Sequence, residues 1–164
     1  MIKFPEGFYF GSATSSTQSE GAHTDDLKGK DIWDIWYEEE PYKFFDGIGP
    51  QDTSTFYKNY KSDIQLLKKV GHNSFRTSIS WSRLFHQGFG KINEDAVKFY
   101  RNVFEELKRN DIEPFVNLFH FDMPYELQKI GGWENRKVVD YYREYAKKCF
   151  ELFGDIVKRW FTFN

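Results

Sequence analysis

The sequence predicts an α/β fold on parallel strands, and within that class a (β/α)8 TIM barrel of which these 164 residues supply about the first four β/α units. Three observations lead there. Segments with apolar residues at helical spacing alternate with short segments of strand character, the order that gives parallel strands joined by crossovers. No Gly-rich phosphate turn of the G-x-G-x-x-G type follows the first strand, which argues against a doubly wound sheet, the other architecture the alternation fits. And the strand at 74–81 sets Arg76 among serines on one face. A barrel's inner face near its top is polar in this way, although a structural ion pair in the core explains Arg76 equally well. Residues 1–164 read as the N-terminal half of one barrel domain, with no second domain. Four strands do not close a barrel, so the sequence implies either a piece of a larger barrel or a half-barrel whose open edges need a partner.

The elements follow in order. Phe8-Tyr9-Phe10-Gly11-Ser12-Ala13 reads as a short buried strand. Mixed polarity then runs to about Asp52, interrupted by Gly21, Gly29, Gly47, Gly49, Pro41 and Pro50, a long connection with one short helix around Trp33 to Tyr37. Connections of this length in a compact domain are usually functional. Phe56, Tyr60, Ile64 and Leu67 recur at helical spacing and Gly71 follows as a C′ residue. Ser74 to Trp81 alternates, with Phe75, Thr77, Ile79 and Trp81 on one face and Ser74, Arg76, Ser78 and Ser80 on the other. Asn93 is placed to cap a helix whose first turn holds Glu94 and Asp95 and whose buried stripe is Val97, Tyr100, Phe104 and Leu107. A strand from about Pro114 to Phe121 comes next. A helix over 136–153 then turns Val138, Tyr142, Tyr145, Cys149 and Phe150 inward and stops at Gly154, and a last strand runs from Val157 to Phe163.

Composition narrows the function classes. Formal net charge is −2, which disfavours nucleic acid and anionic membrane as partners. Cys149 is the sole cysteine, so no internal disulfide forms, and the stretch Met1-Ile2-Lys3-Phe4-Pro5-Glu6 lacks a signal pattern; both fit a cytoplasmic protein. No apolar run approaches the ~18 residues that span a bilayer. Aromatics make up 20% of the chain. Aromatic faces suit the C–H faces of sugars, but filling a core is the commoner reason for them.

The candidate polar residues stand where strands end: Gln18 after the first, His120 and Asp122 at the third, Asn164 at the fourth. Amide and imidazole groups both donate and accept, as recognition of hydroxyls requires. No metal-ligand spacing occurs, no cofactor is implied, and Cys149 on an apolar helix face is a poor nucleophile. His23, His72 and His86 read as surface or loop residues. Glu20 and Asp122 read as structural, in a salt bridge or a turn bond; Glu134 is a third carboxylate near the same face. An aldolase-type barrel finds no support, because Lys158 stands at a strand start.

Four motifs carry a resemblance. Phe8-Tyr9-Phe10-Gly11-Ser12-Ala13-Thr14-Ser15-Ser16-Thr17-Gln18-Ser19-Glu20-Gly21-Ala22 resembles the N-terminal signature of glycoside hydrolase family 1. So do Phe75-Arg76-Thr77-Ser78-Ile79-Ser80-Trp81-Ser82-Arg83 and His120-Phe121-Asp122-Met123-Pro124 followed by Gly131-Gly132-Trp133, and Thr162-Phe163-Asn164 resembles the start of the family's Thr-Phe-Asn-Glu motif. Thr17 departs from the signature, which usually has Phe, Tyr, Asn or His there. Phe121 replaces the Trp that many members carry after the His, and its surroundings look like those of bacterial 6-phospho-β-glucosidases.

The resemblance implies a retaining β-glycosidase of small-molecule β-glucosides, with a 6-phosphorylated sugar favoured. Gln18, His120 and Phe121 would bind the sugar. Arg76 would hold the nucleophilic carboxylate, and Asn164 would contact the sugar 2-hydroxyl. The acid/base Glu would follow Asn164, and the nucleophile would come from a later strand. Without both, the 164-residue chain is expected to be inactive. The alternative is a non-catalytic half-barrel that binds sugar or assembles, with homo-oligomer formation open to it.

Overall fold

The computed structural model describes residues 3–22 and 27–164. Met1, Ile2 and His23, used in the sequence readings above, lie outside the described residues. The strands are β1 (Gly11–Ala13), β2 (Ser74–Ser78), β3 (Glu113–Phe119) and β4 (Arg159–Phe163). They form one sheet in the order β1-β2-β3-β4, every neighbouring pair parallel. The helices are α1 (Ser16–Ser19), α2 (Ile32–Glu39), α3 (Phe56–Lys69), α4 (Trp81–Leu84), α5 (Glu94–Arg109), α6 (Tyr125–Lys129) and α7 (Arg136–Phe153). The three crossovers that return the chain to parallel strands are carried by α3, α5 and α7, so the sheet has the arrangement of the first four units of a (β/α)8 barrel.

The long helices follow their apolar spacing. In α5, Asn93 Oδ1 accepts from the Asp95 and Ala96 N–H groups. Ala96, Phe99, Tyr100, Val103, Phe104 and Leu107 are buried, whereas Val97 is only partly so. Gly71 takes φ +87° just beyond α3, the left-handed conformation that closes a helix most easily on glycine. In α7 the inward stripe is Val138, Tyr145, Cys149 and Phe153, with Tyr142 partly buried. Phe150 is not part of it. It stays largely exposed and meets Trp160 edge-on at 5.0 Å, because Phe153 completes the 3.6-residue period instead.

Three strand readings are corrected. The first strand is short, as read, but begins later and is not buried: pairing covers Gly11–Ala13, and Phe8, Tyr9 and Phe10 are 42%, 41% and 44% exposed. β1 stands at one end of these four strands, and Phe4, Phe8 and Phe10 pack on one another at 4.7–4.9 Å outside the main core. A Cβ on Gly11 would overlap the Ser74 backbone oxygen, so the β1–β2 approach needs glycine there. The second strand stops at Ser78, because the Ser80 side chain accepts from the Arg83 N–H and starts α4. The period-two pattern thus runs on through a helix cap, where serine competes well for backbone donors. The third strand stops at Phe119, since Asp122 Oδ1 captures the His120 N–H (3.1 Å) and Phe121 turns to φ +61°.

Val116 and Leu118 of β3 are fully buried beneath the helices. Trp81 stacks on Tyr145 at 5.1 Å in the same core. On the other face of the sheet lies a layer of aromatic and guanidinium groups. Arg159 sits over Tyr9 and Phe115, and Arg76 over Phe161. Phe161 and Phe163 in this layer are largely exposed. No described helix is long and apolar enough to cross a membrane.

Candidate active site

The carboxyl ends of the strands carry the site, as parallel β/α folds dictate. Beyond β1, Ser15 caps α1. Its hydroxyl accepts from the Gln18 N–H (3.3 Å) and donates to Gln18 Oε1 (2.9 Å). With Oε1 engaged, the amide Nε2 is the group Gln18 can offer to a ligand as donor. Beyond β3, His120 and Phe121 complete the opposite wall. Gln18, His120 and Phe121 line one cavity of about 530 Å3 together with Ser15, Thr17 and Thr53. Its remaining wall is apolar: Trp33, Phe44, Ile48, Gly49 and Pro50 from the long connection. Trp33 locks that connection to the site by donating its indole N–H to the Phe121 carbonyl (2.8 Å).

Arg76 and Asn164 do not line the cavity. They meet beside it, the Arg76 guanidinium donating to Asn164 Oδ1, while Arg76 Nε donates to Asn117 Oδ1 (2.6 Å). The two sets are adjacent. Burial first, and then the positive charge of Arg76, lower the pKa of His120 below its ordinary 6.5. His120 is therefore a neutral imidazole at pH 7, with one nitrogen to donate and one to accept. Its Nδ1 is buried without a protein partner. Gln18 and His120 thus share one cavity, Arg76 bonds Asn164, and the Arg76 charge is felt at His120.

Beneath the cavity lies a buried polar network. Glu20 Oε2 accepts from Arg83 Nε (3.0 Å) and Glu20 Oε1 from the Tyr100 hydroxyl (2.9 Å). Lys28 bridges Asp31 (3.2 Å) and Asp34 (2.5 Å), the capping-box pair of α2. Burial opposes the Lys28 charge, but the two aspartates outweigh it and raise its pKa. Burial raises Glu20 and Asp31 as well. Asp122 joins three strand ends. It accepts from the His120 N–H, the Trp81 N–H (3.3 Å) and the Ser16 hydroxyl (3.5 Å), and Ser16 is held in turn by Ser78 (2.8 Å). Burial, followed by the charge of Asp31, pushes the Asp122 pKa up to about 7.

Glu20 and Asp122 thus form the ion pair and turn bond their sequence positions suggested. Glu134 is exposed in a 3-10 turn (Gly132–Glu134). His72 and His86 do have partners: His72 Nδ1 lies 3.5 Å from the Ser12 hydroxyl, and His86 Nδ1 donates to the Leu27 carbonyl (2.7 Å). Cys149 is fully buried, and burial pushes its thiol pKa up. Among the described residues no group of three or more His, Cys, Asp or Glu could hold a metal ion. Sequence reading missed Trp33, Phe44 and Thr53 as cavity residues. The length of their connection was the available signal; which side chains turn inward was not visible.

Known proteins share this arrangement. The family model Glycosyl hydrolase family 1 matches residues 1–164. The chain is 62% identical to the 6-phospho-beta-glucosidase GmuD of Bacillus subtilis over 164 residues, all of this chain and 35% of that protein. It is 46% identical to a 6-phospho-beta-galactosidase of Clostridium acetobutylicum, covering 100% of this chain and 34% of that one. A beta-glucosidase from Thermotoga maritima solved in complex with castanospermine superposes with TM-score 0.94 at 40% identity, over 99% of this chain and 37% of the other. The chain therefore spans about a third of the length of the relatives it matches. Whole-length family match, sequence identity and superposition agree: the chain belongs to glycosyl hydrolase family 1.

Proposed function

We propose that this chain forms a sugar-binding part, the first four β/α units, of a single-domain retaining β-glycosidase acting on β-glucosides that carry a 6-phosphate. The observation that carries the reading is the cavity where Gln18 and His120 face one space beside the Arg76–Asn164 pair. Gln18 offers amide donors, and neutral His120 offers a donor and an acceptor, to hydroxyls of the sugar whose bond is cut. Phe121 supplies an aromatic face. Arg76 holds a nucleophilic carboxylate ionised by its charge, and Asn164 takes the 2-hydroxyl, a bond that strengthens as the sugar becomes oxocarbenium-like. The phosphorylated substrate is supported by the kinship with the B. subtilis 6-phospho-beta-glucosidase. Such substrates place the enzyme in the cytoplasm, where sugars phosphorylated on uptake are found. The gluco against galacto preference follows the same kinship, 62% against 46%.

Retaining hydrolysis needs two carboxyl groups about 5–5.5 Å apart. None of the cavity-lining residues is Asp or Glu, and the buried Glu20 and Asp122 are engaged in the network below. The 164-residue chain alone is therefore expected to release no nitrophenol from nitrophenyl β-glucoside, with or without a 6-phosphate. Turnover by the pure chain would overturn the assignment of its residues to binding. The whole protein that carries these residues should cleave the 6-phosphate faster than the free glucoside, and equal rates would discard the phospho-sugar preference. In that protein Gln18→Ala should lower kcat/KM by about tenfold to a hundredfold, the loss expected of hydrogen bonds at the reacting sugar. A whole protein that binds glycosides and cleaves none would instead favour the non-catalytic reading.

A further inference from the structure

On β3 the side chains of Phe115, Asn117 and Phe119 share the face of the sheet that lies away from the helices, with Phe161 and Phe163 of β4 beside them. Asn117 is the polar one of the three, and it is buried. Its Oδ1 accepts from Arg76 Nε (2.6 Å), and its Nδ2 is shielded from solvent without a partner among the described residues. The guanidinium sets this orientation, since a turned amide would place NH2 against the Nε–H, donor on donor. A buried donor without a partner costs stability, so packing alone favours an apolar side chain here. The partners of Arg76 are equally unusual. Arg83, Arg101, Arg109 and Arg143 each pair with a carboxylate. Arg76 is half-buried, and among the described residues it bonds and stacks on neutral groups alone: Asn117 at Nε, Asn164 at Nη2 and the Phe161 ring at 5.4 Å. A neutral acceptor fixes a guanidinium without cancelling its charge, whereas a carboxylate does both.

We propose that Asn117 is a positioning residue for Arg76: it anchors the Nε edge of the guanidinium through a neutral acceptor, so that the outer nitrogens and the whole positive charge stay available to the nucleophilic carboxylate. The inference rests on the glycosidase reading, in which Arg76 holds that carboxylate, and adds to it the residue that aims Arg76. Asn117 does not line the cavity, so its effect belongs to the chemical step rather than to binding. Two other titratable or charged groups bear on this part of the sheet. His120 already feels the Arg76 charge, and Arg159 is engaged by the Tyr9 hydroxyl and the Phe115 ring.

The test is the pH dependence of steady-state cleavage of nitrophenyl β-glucoside 6-phosphate by the whole protein, paired with thermal melts. Asn117→Leu keeps the size of the side chain and removes the acceptor. It should lower kcat about tenfold and leave KM within about twofold, the loss of one bond that acts only on the reacting groups. Its preference for the 6-phosphate over the free glucoside should match that of the native protein, because Asn117 acts on the carboxylate and not on the phosphate. Asn117→Asp keeps the anchor but sets a negative charge beside Arg76. The carboxylate that Arg76 serves then ionises less readily and His120 protonates more readily, so the acidic limb of kcat/KM should move up by about one pH unit. Unchanged kcat in Asn117→Leu overturns the proposal. So does a raised KM with kcat intact, which would assign Asn117 to binding, or a lowered melting temperature with kcat intact, which would assign it to structure. An acidic limb that stays in place in Asn117→Asp also overturns it, since the neutrality of the anchor would then be without effect. Arg76→Gln separates the inference from the reading beneath it. If Arg76→Gln lowers kcat and both Asn117 variants behave as the native protein, the positioning role alone is wrong. If Arg76→Gln cleaves at the native rate, Arg76 serves no carboxylate and both fall.

Discussion

Glu20→Ala is expected to destabilise the chain by about 3–5 kcal/mol, the loss seen when one partner of a buried ion pair is removed and the other is left charged. The Arg83 side chain is fully buried and that of Glu20 nearly so. Removing the carboxylate takes away the charge that Glu20 sets against the guanidinium, while the Gly21 and Ala22 carbonyls stay in place. The Tyr100 hydroxyl loses its acceptor in the same step. Arg83 also lies over the Tyr57 ring at 4.5 Å, so Arg83→Ala removes packing as well as charge and should cost at least as much. Urea unfolding of the two single variants and the double variant measures the coupling. Strict additivity would show that the pair contributes nothing as a pair. The consequence reaches the cavity. Glu20 ends α1, two residues beyond Gln18, so a loosened pair should also weaken saccharide binding before the chain unfolds.

The elements that bury one continuous face were legible in the sequence. α3, α5 and α7 each repeat apolar residues at helical spacing, and Asn93 marks the start of α5 by its capping chemistry. The strand ends were harder to read, for a definite reason. At 78–81 the alternation of Ser and apolar residues continues while the backbone changes from strand to helix, and only the Ser80 cap shows where. At 119–122 a side chain, Asp122, takes over a backbone donor that a longer strand would have paired. Gln18, Arg76, His120 and Asn164 could be placed because parallel strands end on one side. Thr53 and Phe44 could not. They lie in the long connection, where spacing carries no periodic signal and tertiary contacts such as Trp33 to Phe121 decide which side chains face the cavity. The partition of these four residues into Gln18 and His120 in the cavity and a bonded Arg76–Asn164 pair beside it was likewise outside the reach of pattern.

Raising the pH from about 4 to about 8 should weaken the folded chain through Asp122, and Asp122→Asn should flatten that part of the curve. The Asp122 carboxyl stands near 3.8 when unperturbed and is pushed to about 7 in the fold, by burial and by the negative charge of Asp31. The folded chain thus holds this proton more tightly than the unfolded one. The stability it contributes is complete below about 3.8 and is lost as pH rises through about 7. A rise of this size corresponds to a contribution on the order of 4 kcal/mol between those limits. Glu20 and Asp31, also raised, act in the same direction, while lowered His120 opposes them by favouring the fold as pH rises toward 6.5. Asparagine cannot ionise. It keeps an acceptor for the His120 N–H but presents its NH2 to the Trp81 N–H, so one bond of about 1 kcal/mol is lost at every pH. Asp122→Asn should therefore be less stable than the native chain near pH 5 and should match or exceed it near pH 8. Parallel stability curves for the two proteins would show that Asp122 does not titrate in this range. Asp122→Ala gives the complementary result. It leaves both N–H groups unsatisfied and should cost about 2–5 kcal/mol near pH 5, and less as pH rises through about 7. His120 loses the anchor that sets its backbone, so saccharide binding should fall further in Asp122→Ala than in Asp122→Asn at equal folded fraction.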